Sequence, residues 1–353
     1  DPCHVMFTSG TTGAPKGAIL RHGAICRGYL SWSEVIGLRE DDRYLVVNPF
    51  FHAFGLNAGI VACLLTGATL VPHPVFDVPA VMARVAEERI SMLPGPPAIY
   101  QTILNHPDLA GLDLSSLRLA VTGAAPVPVS LVNAMRDTLG FETVITGYGL
   151  TEASGLATMC RHDDPPEVIS GSSGRAIDDV EVLVIDADGD EMPRGEPGEV
   201  VVRGYNLMSG YLDDPDQTAE AIDADGWLHT GDIGVMDADG YLDITDRLKD
   251  MFINGGFNVY PAEVESLLLA HPDIAQVAVV GVPDERLGEV GMAFVVPTTG
   301  TSPDPAGLVA WARAEMANYK APRRFEVVDA LPANASGKVL KVELRERAAA
   351  TSA

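Results

Sequence analysis

A chain of 353 residues is long enough for two domains with cores of their own, and 47% apolar against 21% charged residues describes a folded globular protein, not a disordered one. A formal net charge of −25 excludes nucleic acid or an anionic membrane surface as partner, and any anionic ligand must be gathered by local donors. Cys3, Cys26, Cys63 and Cys160 show no C-x-x-C spacing, which excludes a zinc ribbon or disulfide scaffold and suits a reducing, cytoplasmic setting.

The first residues run straight into a strand-like HVMF with neither leader nor start methionine, so the opening reads as a cut inside a longer protein. FTSGTTGAPKG (Phe7–Gly17) follows, a loop whose glycines let backbone N–H groups crowd a phosphate. It is not a Walker A loop, because Lys16 follows a proline and Gly17 stands where the magnesium-binding hydroxyl belongs. By itself it is either a phosphate cradle or a turn. The longest apolar run, Gly59 to Leu65, is too short to cross a bilayer, so no integral membrane segment is expected.

From Tyr44 to about Leu150, strand-like RYLVVN, ATLVP, SMLPG, LRLAVTG and ETVITGYG alternate with helix-like stretches near Ala80–Glu88, Ala98–Asn105 and Ser130–Thr138. That alternation predicts a parallel or mixed α/β sheet. GAAPVP (Gly123–Pro128) and TGYGLTE (Thr146–Glu152) each follow a strand, at the edge where open α/β sheets bind ligands. Between Gly171 and Asp246 short β runs (VEVLVID, GEVVVRG, GYLDITD) with D-G and G-E turns predict a small β subdomain. After a break near Asp246–Glu265 an α+β tail follows. It has a helix from Pro261, strands at AQVAVVGV and GMAFVVP, a helix near Ala306–Met316 and a strand at RFEVVD.

Taken singly, the remaining candidates have plain readings. Tyr148 can stack on a purine or be a core tyrosine, and Glu152 can hold magnesium or cap a helix. Asp232, after the tight turn of GWLHTGD, can accept two ribose hydroxyls or make an Asx turn. Arg247 and Lys249 can be solvated charges, Lys338 in PANASGKVLK an ordinary surface lysine, and His52 in NPFFHAFG a core histidine.

Their order is more informative than any one of them. The glycine/threonine loop with P-K-G, then P-x-x-H-x-x-G, Y-G-x-T-E, G-W-x-x-T-G-D, D-R-x-K-D followed by G-G, and a late G-K resemble the adenylate-forming superfamily of acyl-CoA synthetases, adenylation domains and beetle luciferases, from residue 1 to about 345. The resemblance implies a large α/β domain truncated at its N-terminus (1–170) with a small β subdomain (171–248), then a small mobile α+β domain (249–353). It also implies ATP, magnesium and coenzyme A, and a small-molecule carboxylate substrate; a homodimer is compatible with it.

The same resemblance assigns roles. Thr8, Ser9, Gly10, Thr11, Thr12, Gly13 and Lys16 would hold the β- and γ-phosphates. Tyr148 would stack on adenine, with Gly123, Ala124 and Gly147 lining its pocket. Asp232 and Arg247 would hold ribose, Thr151 the α-phosphate, and Glu152 with Thr8 the magnesium. Lys338 would bridge the attacking carboxylate and the α-phosphate, where two anions need a cation between them. Lys249 falls on the hinge, and Gly255 and Gly256 on a narrow pantetheine channel. Arg286, Lys320 and Arg324 are offered by charge for the CoA 3′-phosphate. RYLVVNPFFHAFG, LPGPPAIYQTIL and DMFINGGFNVYPAEVE look like actinobacterial acyl-CoA ligases of sterol catabolism, the type that activates an indane-dione propanoate. This sets a bulky cyclic acid against Phe51, His52, Phe54 and Gly55, with His52 in the catalytic set. The rivals are a general fatty acyl-CoA ligase, an adenylation domain loading a carrier protein, and a nucleotide-binding module without catalysis.

Overall fold

A computed structural model describes residues 1–8, 15–74, 77–123, 127–333 and 339–351. The chain divides into two units. The first holds Asp1–Thr230 and Val235–Ile244, the second Gly231–Gly234 and Thr245–Ala353.

In the first unit, β1 (Pro2–Thr8) and β2 (Lys16–Arg21) form an antiparallel ladder whose last pair is Thr8 with Lys16. The other edge of β2 takes up residues 209–212. Ser209 N–H donates to Ile19 O at 2.8 Å, Ile19 N–H to Gly210 O at 2.9 Å, and Leu212 N–H to Gly17 O at 2.8 Å. With both edges paired, β2 buries Ala18 and Leu20 completely. Helix α1 (His22–Ile36) has weak local signals, since Arg21 gives no side-chain cap and Gly23 and Gly28 interrupt it. It is held by burial of Ile25, Tyr29, Trp32 and Ile36, and Trp32 stacks on Tyr44 with ring centroids 6.4 Å apart.

The α/β sheet is parallel, as the alternation predicts. β3 (Arg43–Val46) pairs with β4 (Thr69–Pro72), and β5 (Leu119–Val121) with β6 (Thr143–Ile145). The expected strand-like SMLPG (91–95) joins the two pairs: Met92 bridges Tyr44 and Leu119 in parallel, Leu45 N–H donates to Met92 O at 3.0 Å, and Leu93 N–H donates to Leu119 O at 3.1 Å. Helices α2 (Ala62–Thr66), α3 (Val78–Glu88), α4 (Pro97–Leu104) and α5 (Val129–Asp137) fill the connections. Between β3 and α2 the chain makes a π-helix at Phe54–Val61, a form concentrated at functional sites. Gly55 permits it, because a Cβ there would stand 2.1 Å from Pro49 O and 2.6 Å from Asn48 O.

β7 (Gly147–Tyr148), β8 (Thr158–Met159) and β9 (Arg175–Ala176) form a short ribbon around α6 (Pro166–Gly171) in the chain. The β subdomain is a sheet in the order β10 (Val180–Ile185), β11 (Pro197–Gly204), β12 (Leu228–Met236), β13 (Leu242–Arg247), with α7 (Pro215–Ala221) between β11 and β12 in sequence. Asp232, expected just after a tight turn, instead stands inside β12, because residues 228–236 run as one continuous strand through the glycine.

In the second unit, β14 (Phe252–Asn254) and β15 (Phe257–Val259) make a hairpin, followed by α8 (Pro261–Leu268). β16 (Ile274–Asp284) and β17 (Gly288–Pro297) form a long antiparallel pair, and after α9 (Pro305–Glu315) β18 (Arg324–Val327) joins β17 in parallel. Alternation buries both faces of this sheet. Val279, Ala293 and Val295 pack with Val264 and Leu268 of α8 and Leu308 and Ala312 of α9. Ala278, Val280, Met292 and Phe294 pack with Leu344 and Ala348 of α10 (Lys341–Thr351). Among the described residues no helix is long and apolar enough to cross a membrane.

Gly55→Ala is expected to destabilise the first unit by about 3 kcal/mol, because backbone oxygens cannot yield to the new methyl. Gly111→Ala, which meets nothing within 4 Å, should stay within about 0.5 kcal/mol in the same urea titration.

Candidate active site

The residues Ser9, Gly10, Thr11, Thr12 and Gly13 of the expected phosphate loop lie outside the described residues, as do Ala124 and Lys338. The two ends of the loop are described, with Thr8 directly across the ladder from Lys16. The Lys16 ammonium donates to the side-chain oxygen of Gln217 on α7 and stands 5.2 Å from the centre of the Tyr211 ring. The Tyr211 hydroxyl in turn donates to Glu152 Oε1 at 2.8 Å. One tyrosine thus offers its ring to the cation and its hydroxyl to the anion. Burial first, and then the Glu152 charge, push the Tyr211 pKa well above the ordinary phenol value, so the hydroxyl remains a donor. A cavity of about 300 Å³ opens here, lined by Phe7, Pro15, Lys16, Tyr211, Asp214 and Gln217 among others.

Glu152 and Thr151 sit in a single 3-10 turn, Thr151–Ala153, whose main chain is tied down. Met208 N–H donates to Glu152 O at 2.7 Å and Ser154 Oγ to Asn206 O at 2.7 Å. Asn206 Nδ2 donates to Leu156 O at 2.7 Å, while the Tyr29 hydroxyl and Asn57 Nδ2 reach Ser154 O at 3.1 and 3.2 Å. Ser154, Asn206 and Asn57 are buried, where an orphaned polar group costs about 1–3 kcal/mol. Gly123 follows β5, and Gly147 and Tyr148 follow β6, so all three leave adjacent parallel strands at the carboxyl edge. His52 and Phe51 are exposed, whereas Gly55 is buried against the 48–49 backbone. The His52 side chain accepts the Phe54 N–H at Nδ1, 3.2 Å, which in the neutral ring leaves the proton on Nε2.

In the second unit, Arg247 Nε meets the buried Asp232 carboxylate at 3.2 Å, and Leu248 N–H donates to Gly231 O at 2.8 Å. Asp246 is also buried. It accepts from Arg247 N–H at 2.6 Å and from Ala262 N–H at 2.7 Å, and so caps α8, whose own N-cap Tyr260 supplies no side-chain bond. Burial pushes the Asp246 pKa up against those two donors. Lys249 lies in the turn after β13, where Asp250 N–H donates to Arg247 O at 2.9 Å. Its pKa is lowered, by desolvation first and then by Arg247. Gly255 and Gly256, with φ of 60° and 89°, are the two central residues of the β14–β15 hairpin, a geometry that itself requires glycine. Of the three cations offered for the CoA phosphate, Lys320 is taken up by Glu263 at 2.5 Å, and Arg286 is exposed with its N–H on Asp284 Oδ1 at 3.0 Å. Arg324, at the start of β18, is also exposed.

With this geometry in place, the family described as AMP-binding enzyme matches residues 1–212, and the one described as AMP-binding enzyme C-terminal domain matches residues 263–338. The chain belongs to the AMP-binding enzyme family. A 3-((3aS,4S,7aS)-7a-methyl-1,5-dioxo-octahydro-1H-inden-4-yl)propanoyl:CoA ligase of Rhodococcus jostii (strain RHA1) is 55% identical over 98% of this chain and 65% of the relative. A ligase of the same name from Mycobacterium tuberculosis (strain H37Rv) is 53% identical over 98% of this chain and 66% of the relative. The chain therefore spans just under two thirds of the length of these relatives. The ATP-bound structure of MatB from Rhodopseudomonas palustris superposes with a TM-score of 0.89 at 33% identity, covering 98% of this chain and 68% of that one. The motif-based resemblance and the α/β fold with a C-terminal domain are both borne out.

Several residues around the family's motifs escape sequence reasoning. Tyr211, Gln217 and Asn206 carry no local signature, and only the pairing of residues 209–212 with β2 brings them to Lys16 and Glu152. His229 in GWLHTGD is another. Its Nδ1 is 3.0 Å from Glu199 Oε2 and its Nε2 3.5 Å from Asp223 Oδ2. Burial pulls its pKa down, but the Glu199 and Asp223 carboxylates outweigh that and hold it above the ordinary value. A raised folded-state pKa contributes stability that is fully present below about pH 6.5 and is lost as pH rises through the folded value. His229→Gln should therefore lower the melting temperature at about pH 6, with the difference from wild type shrinking toward about pH 9. A gap independent of pH would contradict the ion-pair assignment.

Proposed function

We propose that the chain carries the nucleotide site of a cytoplasmic, AMP-forming acid–thiol ligase that joins a steroid-derived cyclic propanoate to coenzyme A. The observation that supports it most is Lys16 and Glu152 meeting on Tyr211 at the mouth of the glycine/threonine loop, a cation for phosphate beside a carboxylate for a metal. The substrate is that named for the ligases of Rhodococcus jostii and Mycobacterium tuberculosis at 55% and 53% identity.

Two displacements make up the reaction. A carboxylate oxygen attacks the α-phosphorus of ATP, the bond to the β-phosphate oxygen breaks, and pyrophosphate leaves an acyl-adenylate. The thiolate sulfur of CoA then attacks the acyl carbon and AMP departs. In this reading Lys16 and the loop Thr8–Gly13 receive the β- and γ-phosphates, while Thr151 donates to the α-phosphate. Tyr148 stacks on adenine beside Gly123, Ala124 and Gly147. Asp232 accepts from the ribose hydroxyls with Arg247 beside it. Glu152, with Thr8, would hold magnesium, which supplies positive charge against the leaving pyrophosphate; one carboxylate sharing the ion with phosphate oxygens is an ordinary magnesium donor set. Lys338 neutralises the meeting anions in the first step, Lys249 serves as the hinge that withdraws it, and Gly255 and Gly256 give pantetheine room in the second. His52 and Phe51 face the acyl group.

Pyrophosphate release by the full-length enzyme with ATP, magnesium and an acid panel tests the substrate. The bicyclic propanoate should exceed octanoate, palmitate and benzoate by about a hundredfold in kcat/KM, about 2.7 kcal/mol of transition-state discrimination. A linear acid in front would make this a general fatty acyl-CoA ligase. Lys338→Ala should abolish adenylation yet leave thioester formation from supplied acyl-adenylate, and equal loss of both steps would refute its role.

A further inference from the structure

Tyr211 stands in YNLMSGYLDDPDQT (Tyr205–Thr218), and its backbone is clamped from both sides. It bridges Ala18 of β2 in antiparallel fashion. Its N–H donates to Thr218 Oγ1 at 2.8 Å, that hydroxyl donates to Asp214 O at 2.8 Å, and Asp214 Oδ1 caps α7 by accepting from Gln217 N–H at 3.1 Å. The side chain therefore leaves a fixed strand–turn–helix corner. Its ring lies 5.2 Å from Lys16 Nζ and its hydroxyl 2.8 Å from Glu152 Oε1. Among the described residues Glu152 Oε2 makes no hydrogen bond, so the tyrosine occupies one carboxylate oxygen and leaves the other.

We propose that Tyr211 is a positioning residue for MgATP, holding Glu152 by one oxygen so that the other serves the metal, while its ring keeps Lys16 beside the same phosphates. This rests on the nucleotide reading above. The physical reason is entropic and electrostatic. A free glutamate in a three-residue turn has several rotamers, and a hydrogen-bond donor on a clamped neighbour selects one before the metal arrives. Phenylalanine would keep the ring beneath Lys16 and remove only the donor, so the two halves of the role are separable.

The test is a magnesium titration of ATP binding by the full-length protein, read by calorimetry, with melting temperatures alongside. Among the described residues the buried Tyr205 hydroxyl has no hydrogen-bond partner, so Tyr205→Phe makes the same chemical change with no bond lost there. Tyr211→Phe should raise the magnesium needed for half-saturation about tenfold at an unchanged melting temperature. Tyr205→Phe should titrate like wild type, and Tyr211→Phe added to Glu152→Gln should change nothing further, because the hydroxyl acts through that carboxylate. The proposal is overturned if Tyr211→Phe titrates like wild type, if its effect adds in full to that of Glu152→Gln, or if Tyr211→Phe fails to fold, which would make the hydroxyl structural. Wild-type ATP binding indifferent to magnesium would defeat the nucleotide reading and this inference together, a result distinct from magnesium dependence that survives in Tyr211→Phe.

Discussion

Three backbone hydrogen bonds between β2 and residues 209–212 are the constraint on which the candidate site depends. They bring Tyr211 beside Lys16, a residue nearly two hundred positions earlier, and with Tyr211 comes Glu152. Side-chain contacts alone would not hold such a group together, because each is worth about 1 kcal/mol net. A strand paired on both edges has no such freedom. In a chain of net charge −25 this matters doubly, since a nucleotide gains nothing from the overall field and must be met by a few cations held in register.

The same economy of polar groups appears in the turn that carries Glu152. Tyr29, Asn57 and Asn206 converge on Ser154 and Leu156 from three different elements, all in a dry interior. The amide donors of Asn57 and Asn206 satisfy turn carbonyls, so leaving this conformation would orphan several buried groups, while Asn57 Oδ1 and Asn206 Oδ1 have no partner among the described residues. The half-buried Glu152 carboxylate thus stands on a fixed backbone.

The second unit uses buried carboxylates in a different manner. Asp246 caps α8 across sixteen positions, and Glu265 on that helix accepts from Val279 N–H at 2.7 Å and pairs with Lys341 of α10 at 2.7 Å. Burial raises the pKa of both acids, and their partners keep the arrangement worthwhile. These bonds tie β13, α8, β16 and α10 into one body around a sheet buried on both faces.

The sequence by itself determined the elements that carry their own signals and the order of the motifs. α3, α4, α8 and α9 announce themselves by prolines at the first turn and, for α3 and α9, an aspartate cap, while α5 shows its periodicity after a proline at the N-cap. The alternation of strand and helix indicated a parallel or mixed α/β sheet, and six ordered motifs pointed to the family. Only the tertiary structure decided the rest. α1 has no side-chain cap at its N-terminus, though Gly37 closes its C-terminus, and it is held by burying Tyr29 and Trp32. SMLPG (91–95) finds its partners only in the fold, where β3 bonds to Ser91 and Met92 and β5 to Ser91, Leu93 and Gly95. Asp232 lies inside the strand β12 and not in a turn. Tyr211 and Asn206 have neighbours chosen by strand pairing over long sequence separations, and local propensity holds no information about which distant segment will supply the other half of a hydrogen bond.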